Sequence, residues 1–104
     1  MSEPLDEALR ALADPTRRQI LRMVAAQERS AGELAAQFSM SRPAVSQHLA
    51  TLRKAGLIQV RSKAQQRLYS PDQEGLEAVF NEVEGFWEAV FEPESTADSV
   101  AETA

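Results

Sequence analysis

Leu5, Ala8, Leu9 and Leu12 recur at the i, i+3, i+4, i+7 spacing of a helix with one apolar face. Asp14-Pro15 ends that run, because the residue before a proline avoids helical backbone angles. The same pair predicts the next start: Asp14 offers an N-cap oxygen, Pro15 suits the first helical position, and Ile20, Leu21 and Val24 form the inward stripe. Ser30-Ala31-Gly32-Glu33 has the spacing of a capping box and predicts a short third helix over 31–38. After the polar turn Ser39-Met40-Ser41, Ser41 is placed to cap a fourth helix over 42–55. Val45, Leu49 and Leu52 face inward there, and Gly56 stands at the stop. Two short helices three residues apart have the spacing of a helix-turn-helix.

Beyond Gly56 the period changes. Leu57, Ile58 and Val60 with Arg61 and Lys63 read as a strand, Ala64-Gln65-Gln66 as a tight turn, and Arg67-Leu68-Tyr69-Ser70 as the returning strand. A basic hairpin over 57–70, directly after a helix-turn-helix, predicts a wing. Pro71-Asp72 then opens a long last helix with Leu76, Val79, Phe80, Val83, Phe86, Trp87, Val90 and Phe91 as its apolar positions. From residue 92 onward Pro, Ser, Thr, Ala and acids follow no apolar period, which predicts a disordered acidic tail over 92–104. The expected fold is mainly α with a small β-hairpin, a winged helix-turn-helix domain over 1–91 in the order α-α-α-α-β-β-α.

At 104 residues the chain fits one domain, and 43% hydrophobic with 26% charged residues is a globular composition. No apolar run reaches the roughly 20 residues that span a bilayer. The N-terminal residues show no secretory pattern, so a cytoplasmic location is expected. The absence of cysteine excludes disulfides, thiolate metal sites and thiol redox switches. One histidine per chain excludes a His-rich metal site, so neither metal nor cofactor is expected. An enzyme has nothing behind it, with no glycine-rich phosphate loop and no paired carboxylates in the basic region.

The net charge of −5 taken whole would disfavour nucleic acid, but its distribution reverses that inference. Residues 1–16 carry −3, residues 17–67 carry +8 and residues 68–104 carry −10. No acid occurs between Glu33 and Asp72. A polyanion would bind the middle segment; the alternative is that the segments merely neutralise one another in the fold. On a helical wheel with Val45, Leu49 and Leu52 inward, Pro43, Gln47 and Lys54 lie within roughly 20–30° of the opposite pole. Ala50 and Thr51 lie beside them, Ser46 is lateral and Arg42 projects from the first turn. Such a face, small and hydrogen-bonding, can approach base edges and phosphates in a major groove. His48 falls about 60–70° from the buried direction. A packed histidine steadying the helix is the favoured reading there, over a DNA contact or a metal ligand.

These residues are familiar together. Leu12-Ala13-Asp14-Pro15-Thr16-Arg17-Arg18-Gln19-Ile20-Leu21 resembles the second-helix signature of ArsR-type winged-helix repressors. Gly32-Glu33-Leu34-Ala35 and the stretch from Ser41 through Ser46-Gln47-His48-Leu49 to Gly56-Leu57-Ile58 resemble that family's third and recognition helices. The resemblance runs from about residue 5 to 91. It implies a homodimeric bacterial transcription factor that pairs through its first and last helices. It places DNA contacts on Arg42, Pro43, Ser46 and Gln47, with Arg61, Lys63, Gln65, Gln66 and Arg67 added by the wing; the wheel adds Thr51 and Lys54.

Departures from the family pattern narrow the expectation. Where many members carry Cys-x-Cys on the third helix, Ala35 and Gln37 stand here, and 72–91 offers carboxylates but no histidine. The wing tip lacks the usual glycine. Asp14-Pro15-Thr16 with a Phe86-Trp87 ending resembles a metal-independent branch. The last helix's stripe is too wide and aromatic for a lone surface helix, so a second chain should cover it. The expected dimer contacts are Leu5, Leu9, Leu12, Val79, Phe80, Val83, Phe86, Trp87 and Val90. An effector pocket on that stripe, and a protein-interaction module that has lost DNA binding, are the competing readings.

Overall fold

The computed structural model describes residues 3–91, so the tail expected over 92–104 lies outside the described residues. Helix α1 spans Glu3–Leu12 and α2 spans Pro15–Ala26. Between them the Asp14 carboxylate accepts the N–H groups of Thr16 at 2.7 Å and Arg17 at 3.2 Å, the expected cap. Strand β1 (Arg29–Ser30) leads directly into α3 (Ala31–Phe38). The capping box is complete: Glu33 N–H donates to Ser30 Oγ, and Ser30 N–H donates to the Glu33 carboxylate. Ser39 takes a left-handed conformation at φ 51°, and the chain turns into α4 (Arg42–Lys54), capped by Ser41 Oγ accepting from Ala44 N–H. Strands β2 (Ile58–Lys63) and β3 (Gln66–Pro71) form the hairpin, and α5 (Gln73–Phe91) closes the described chain.

Two glycines decide how the second half is placed. Gly56 adopts φ 79°; its N–H donates to Arg53 O and that of Leu57 to Leu52 O, closing α4 in a Schellman turn. A Cβ on Gly75 would overlap the Gly56 carbonyl, so α5 begins pressed against that turn as only glycine allows. Asp72 secures the start, its carboxylate accepting Gly75 N–H and its own N–H donating to Leu57 O.

The core gathers Ala8 and Ala11 of α1, Ile20 and Val24 of α2, Leu34 and Ala35 of α3, Val45, Leu49 and Leu52 of α4, and Leu57 with Ile58. Several expectations need correction. The sequence reading had no strand at 29–30; β1 makes the sheet three-stranded in the order β1-β3-β2, with Arg29 opposite Tyr69 and Ser30 opposite Leu68. Two residues are too few to show a period, and only pairing with β3 reveals them. The hairpin turn is Ala64-Gln65 alone, because Gln66 pairs with Lys63. Of the stripe expected on α1, Leu5 and Ala8 are buried, joined by Ala11, and Leu12 packs half-buried against the core, but Leu9 does not face inward. Leu5 is thus covered by its own chain, whereas Leu9 is exposed.

Candidate nucleic-acid interface

Helix α4 divides as its wheel predicts. Val45, Leu49 and Leu52 are buried, while Pro43, Ser46, Gln47, Ala50, Thr51 and Lys54 line a shallow groove of about 420 Å³ along the opposite face. Thr51 donates its hydroxyl to Gln47 O at 3.1 Å, which leaves its methyl and its oxygen lone pairs for any partner. Lys54 Nζ lies 3.9 Å from the Glu7 carboxylate, at the limit of an ion pair, and stays largely exposed.

A second, deeper groove of about 580 Å³ joins α4 to the wing. Arg42 and Ser46 line it from α4, Gln65, Gln66 and Arg67 from the hairpin. Segments some twenty residues apart in sequence therefore share one concave surface, and Ser46 belongs to both grooves. Ser30, Gly32 and Tyr69 also line it; sequence reasoning missed them because β1 was not foreseen. Among the described residues Arg42, Lys63 and Arg67 enter no ion pair, so their charges are available to an anion. Arg61 differs. Its Nε and Nη2 donate to the Glu28 carboxylate at 2.6 and 2.7 Å. That bidentate bond, reinforced by the Arg61 charge and by Lys63, holds the Glu28 carboxyl below the usual range despite some desolvation.

His48 is half-buried at the edge of α4, its Nδ1 3.4 Å from Arg17 Nη1. Arg17 is a junction. Its Nε donates to Ala11 O at 2.7 Å, its Nη2 to Arg10 O at 3.0 Å, and Nη1 lies 3.7 Å from the Asp14 carboxylate. One guanidinium thereby ties the end of α1 and the cap of α2 to the helix that carries the polar face. Partial desolvation raises the Asp14 carboxyl, but the N–H groups of Arg17 and Thr16, with the charges of Arg17 and His48, bring it below its ordinary value.

Helix α5 and Leu9 of α1 present an apolar stripe. Leu9, Phe80, Phe86, Trp87, Val90 and Phe91 are exposed, and no residue of α5 is fully buried. Val79 and Val83 are half-buried, and Leu12 is half-buried at a hollow shared with Arg18, Leu21, Arg22 and Ala25. Aromatic rings meet at a tilt along α5, Trp87 lying 4.9 Å from Phe91 and 5.8 Å from Phe86 between centroids. A cleft of about 240 Å³ between α1 and α5 is lined by Leu5, Leu9, Val83, Phe86 and Trp87. No helix among the described residues is long and apolar enough to cross a membrane. No cluster of three metal-ligating side chains occurs among them.

Comparison with known proteins agrees with this geometry. Residues 14–60 match the family described as "Bacterial regulatory protein, arsR family". The HTH-type transcriptional regulator Rv2034 of Mycobacterium tuberculosis is 44% identical over 82 residues, 79% of this chain and 77% of that protein. The HTH-type transcriptional regulator KmtR of the same organism is 42% identical over 80 residues, 72% of this chain and 62% of its own length. Among solved structures, a possible transcriptional regulator for arsenical resistance superposes with TM-score 0.68 at 36% identity, covering 84% of this chain and 86% of that one. A homodimeric winged helix-turn-helix DNA-binding domain from Mycobacterium bovis superposes with TM-score 0.68 at 25% identity, covering 84% and 81%. With its helix-turn-helix, its wing and a groove between them in which Arg42 faces Arg67, the chain belongs to the ArsR family of DNA-binding transcriptional regulators.

Proposed function

We propose that the protein acts as a homodimeric repressor that binds a pseudo-palindromic operator, each subunit laying α4 in a major groove and its wing against the backbone. The observation that carries this reading is the shared groove in which Arg42 and Ser46 meet Gln65, Gln66 and Arg67 without a free carboxylate opposing them; Glu33, also on its wall, is tied up in the α3 cap. Base reading falls to Ser46, Gln47 and Thr51, with Pro43 and Ala50 allowing close approach. Arg42, Lys54, Lys63 and Arg67 supply phosphate contacts. Dimerisation through α5 and Leu9 would cover the exposed aromatic stripe and set two recognition helices about 34–36 Å apart. A cytoplasmic, non-enzymatic role follows from that reading. No metal need take part, since Ala35 and Gln37 stand where family sensors carry thiolates.

Binding of the protein to its own promoter fragment, measured across salt concentrations, tests the assignment. Log affinity should fall linearly with log salt. Gln47→Ala should lower discrimination between operator and scrambled DNA by about 1–3 kcal/mol, leaving the salt slope unchanged. Arg67→Ala should weaken both DNAs alike and reduce the slope by about one. Identical profiles for the two variants would refute the division of roles. Absence of any salt-dependent DNA binding would favour the protein-interaction module instead.

A further inference from the structure

Residues 17–67 contain just two carboxylates, Glu28 and Glu33, and each is committed to one bond. Glu33 completes the α3 capping box; Glu28 grips Arg61 with both oxygens. The second bond has an unusual span. The sheet order is β1-β3-β2, so β1 and β2 each pair with β3 and not with each other. Arg61 stands opposite Leu68 on β3, and Leu68 in turn stands opposite Ser30 on β1. Glu28 lies two residues before Ser30, the cap of α3. The guanidinium therefore reaches over the middle strand, across about two strand spacings of 4.7–4.9 Å each, and fastens the outer strand of the wing to the segment from which the helix-turn-helix starts.

We propose that Arg61 is a positioning residue rather than a phosphate ligand, and that its bond to Glu28 sets the angle of the wing against α3 and α4. This rests on the DNA-binding reading above and assigns one of its basic residues a different role. Three features support it. Both polar edges of the guanidinium facing Glu28 are occupied, in the fork geometry that makes such pairs directional. The cations nearer the hairpin tip, Lys63 and Arg67, have no such partner. Arg67 also lines the groove shared with Arg42, whereas Arg61 does not. Apart from the strap, the hairpin is held to the body through β1, which contributes two residues, through the packing of β3, and at its base through Ile58 of β2, which is buried in the core.

Electrostatics and the strap predict opposite signs for one substitution. Glu28→Ala removes a negative charge from the basic side, so long-range attraction alone, or release of Arg61 to a phosphate, would tighten DNA binding. The strap predicts a several-fold loss instead. Arg61→Ala should give a similar loss with the salt slope unchanged, whereas loss of a true phosphate contact would lower the slope by about one. The exchange Glu28→Arg with Arg61→Glu rebuilds the pair in reverse and should restore most of the affinity, though it leaves a carboxylate on the wing. Tighter binding by Glu28→Ala, a reduced slope in Arg61→Ala, or an exchange variant no better than Arg61→Glu alone would each overturn the proposal. Should the wild-type protein itself show no salt-dependent DNA binding, it is the DNA-binding reading that fails, not the strap.

Discussion

Helices α4 and α5 each carry an apolar stripe, and the two stripes end in opposite conditions. In α4 each large apolar side chain of the inward stripe is buried within the chain, and the outward face is small, polar and free of acids. In α5 no residue is buried; Phe80 is 65% exposed and Trp87 51% exposed, while the carboxylates Glu77, Glu82, Glu84 and Glu88 share the helix surface. One helix is complete in a single chain, and the other is not. A polar exposed face explains itself as a surface for water or for DNA, whereas an exposed aromatic stripe requires a cover. The charge division runs along the same line, since carboxylates on α5 would repel DNA from that side and leave the α4 side as the approach.

The comparison breaks most visibly if α5 is denied its cover. Burying Phe80, Phe86 and Trp87 is worth about 1.5–3 kcal/mol each before ordering costs. Phe86→Glu should therefore convert a dimer to a monomer in analytical ultracentrifugation while the helical circular dichroism persists. Affinity for a two-half-site operator should then drop by about a hundredfold or more, because the second half-site loses its linkage. Binding to an isolated half-site should hardly change. A monomeric wild-type protein, or a variant that unfolds, would show that the stripe serves its own chain.

A smaller effect tests the joint between the two sides. Arg17 binds the last carbonyls of α1, approaches the Asp14 cap of α2 and touches His48 on α4. The Asp14 carboxyl is held below its ordinary value of 3.8 in the folded chain. A depressed carboxyl stabilises the fold above its unfolded value, and that contribution disappears as pH falls through the folded value. Asp14→Asn keeps a competent cap but cannot titrate. Its stability deficit in urea should be constant near neutral pH and shrink below about pH 4. A deficit independent of pH would mean that the charge contributes nothing to the joint.

The helices were legible because their signals are local. Asp14-Pro15, Ser30 with Glu33, and Ser41 mark three helix starts by chemistry that acts within three residues, and the structure uses all three. The α4 face was legible for the same reason, since one wheel fixes both Val45 inward and Gln47 outward. What escaped depends on pairing at a distance. Strand β1 exists through Tyr69 and Leu68, forty residues away, and with it Ser30, Gly32 and Tyr69 enter the groove. Arg61 read as one more basic wing residue until its partner 33 positions earlier was seen. On α1 the i, i+3, i+4, i+7 spacing placed Leu9 with Leu5, Ala8 and Leu12 on the inward face, whereas the structure turns Leu9 outward and Ala11 inward. The close approach of α1 to the core favours Ala8 and Ala11.

The finest distinction concerns the wing tip, on the side that is complete within one chain. Ala64 holds φ at 55°, a region that costs an L-residue with a Cβ about 1–2 kcal/mol relative to glycine. Glycine would relieve that strain but enlarge the freedom of the unfolded chain, so Ala64→Gly should gain about 0.5–1 kcal/mol in net stability. In thermal unfolding this is a rise of a few degrees for a domain of this size. Because the tip shares no partner with the aromatic stripe, the gain should be the same in wild type and in the Phe86→Glu background. An increment that vanishes in the monomer would mean that the wing depends on the second chain, and the two sides of the molecule would then be one cooperative structure rather than a finished face and an unfinished one.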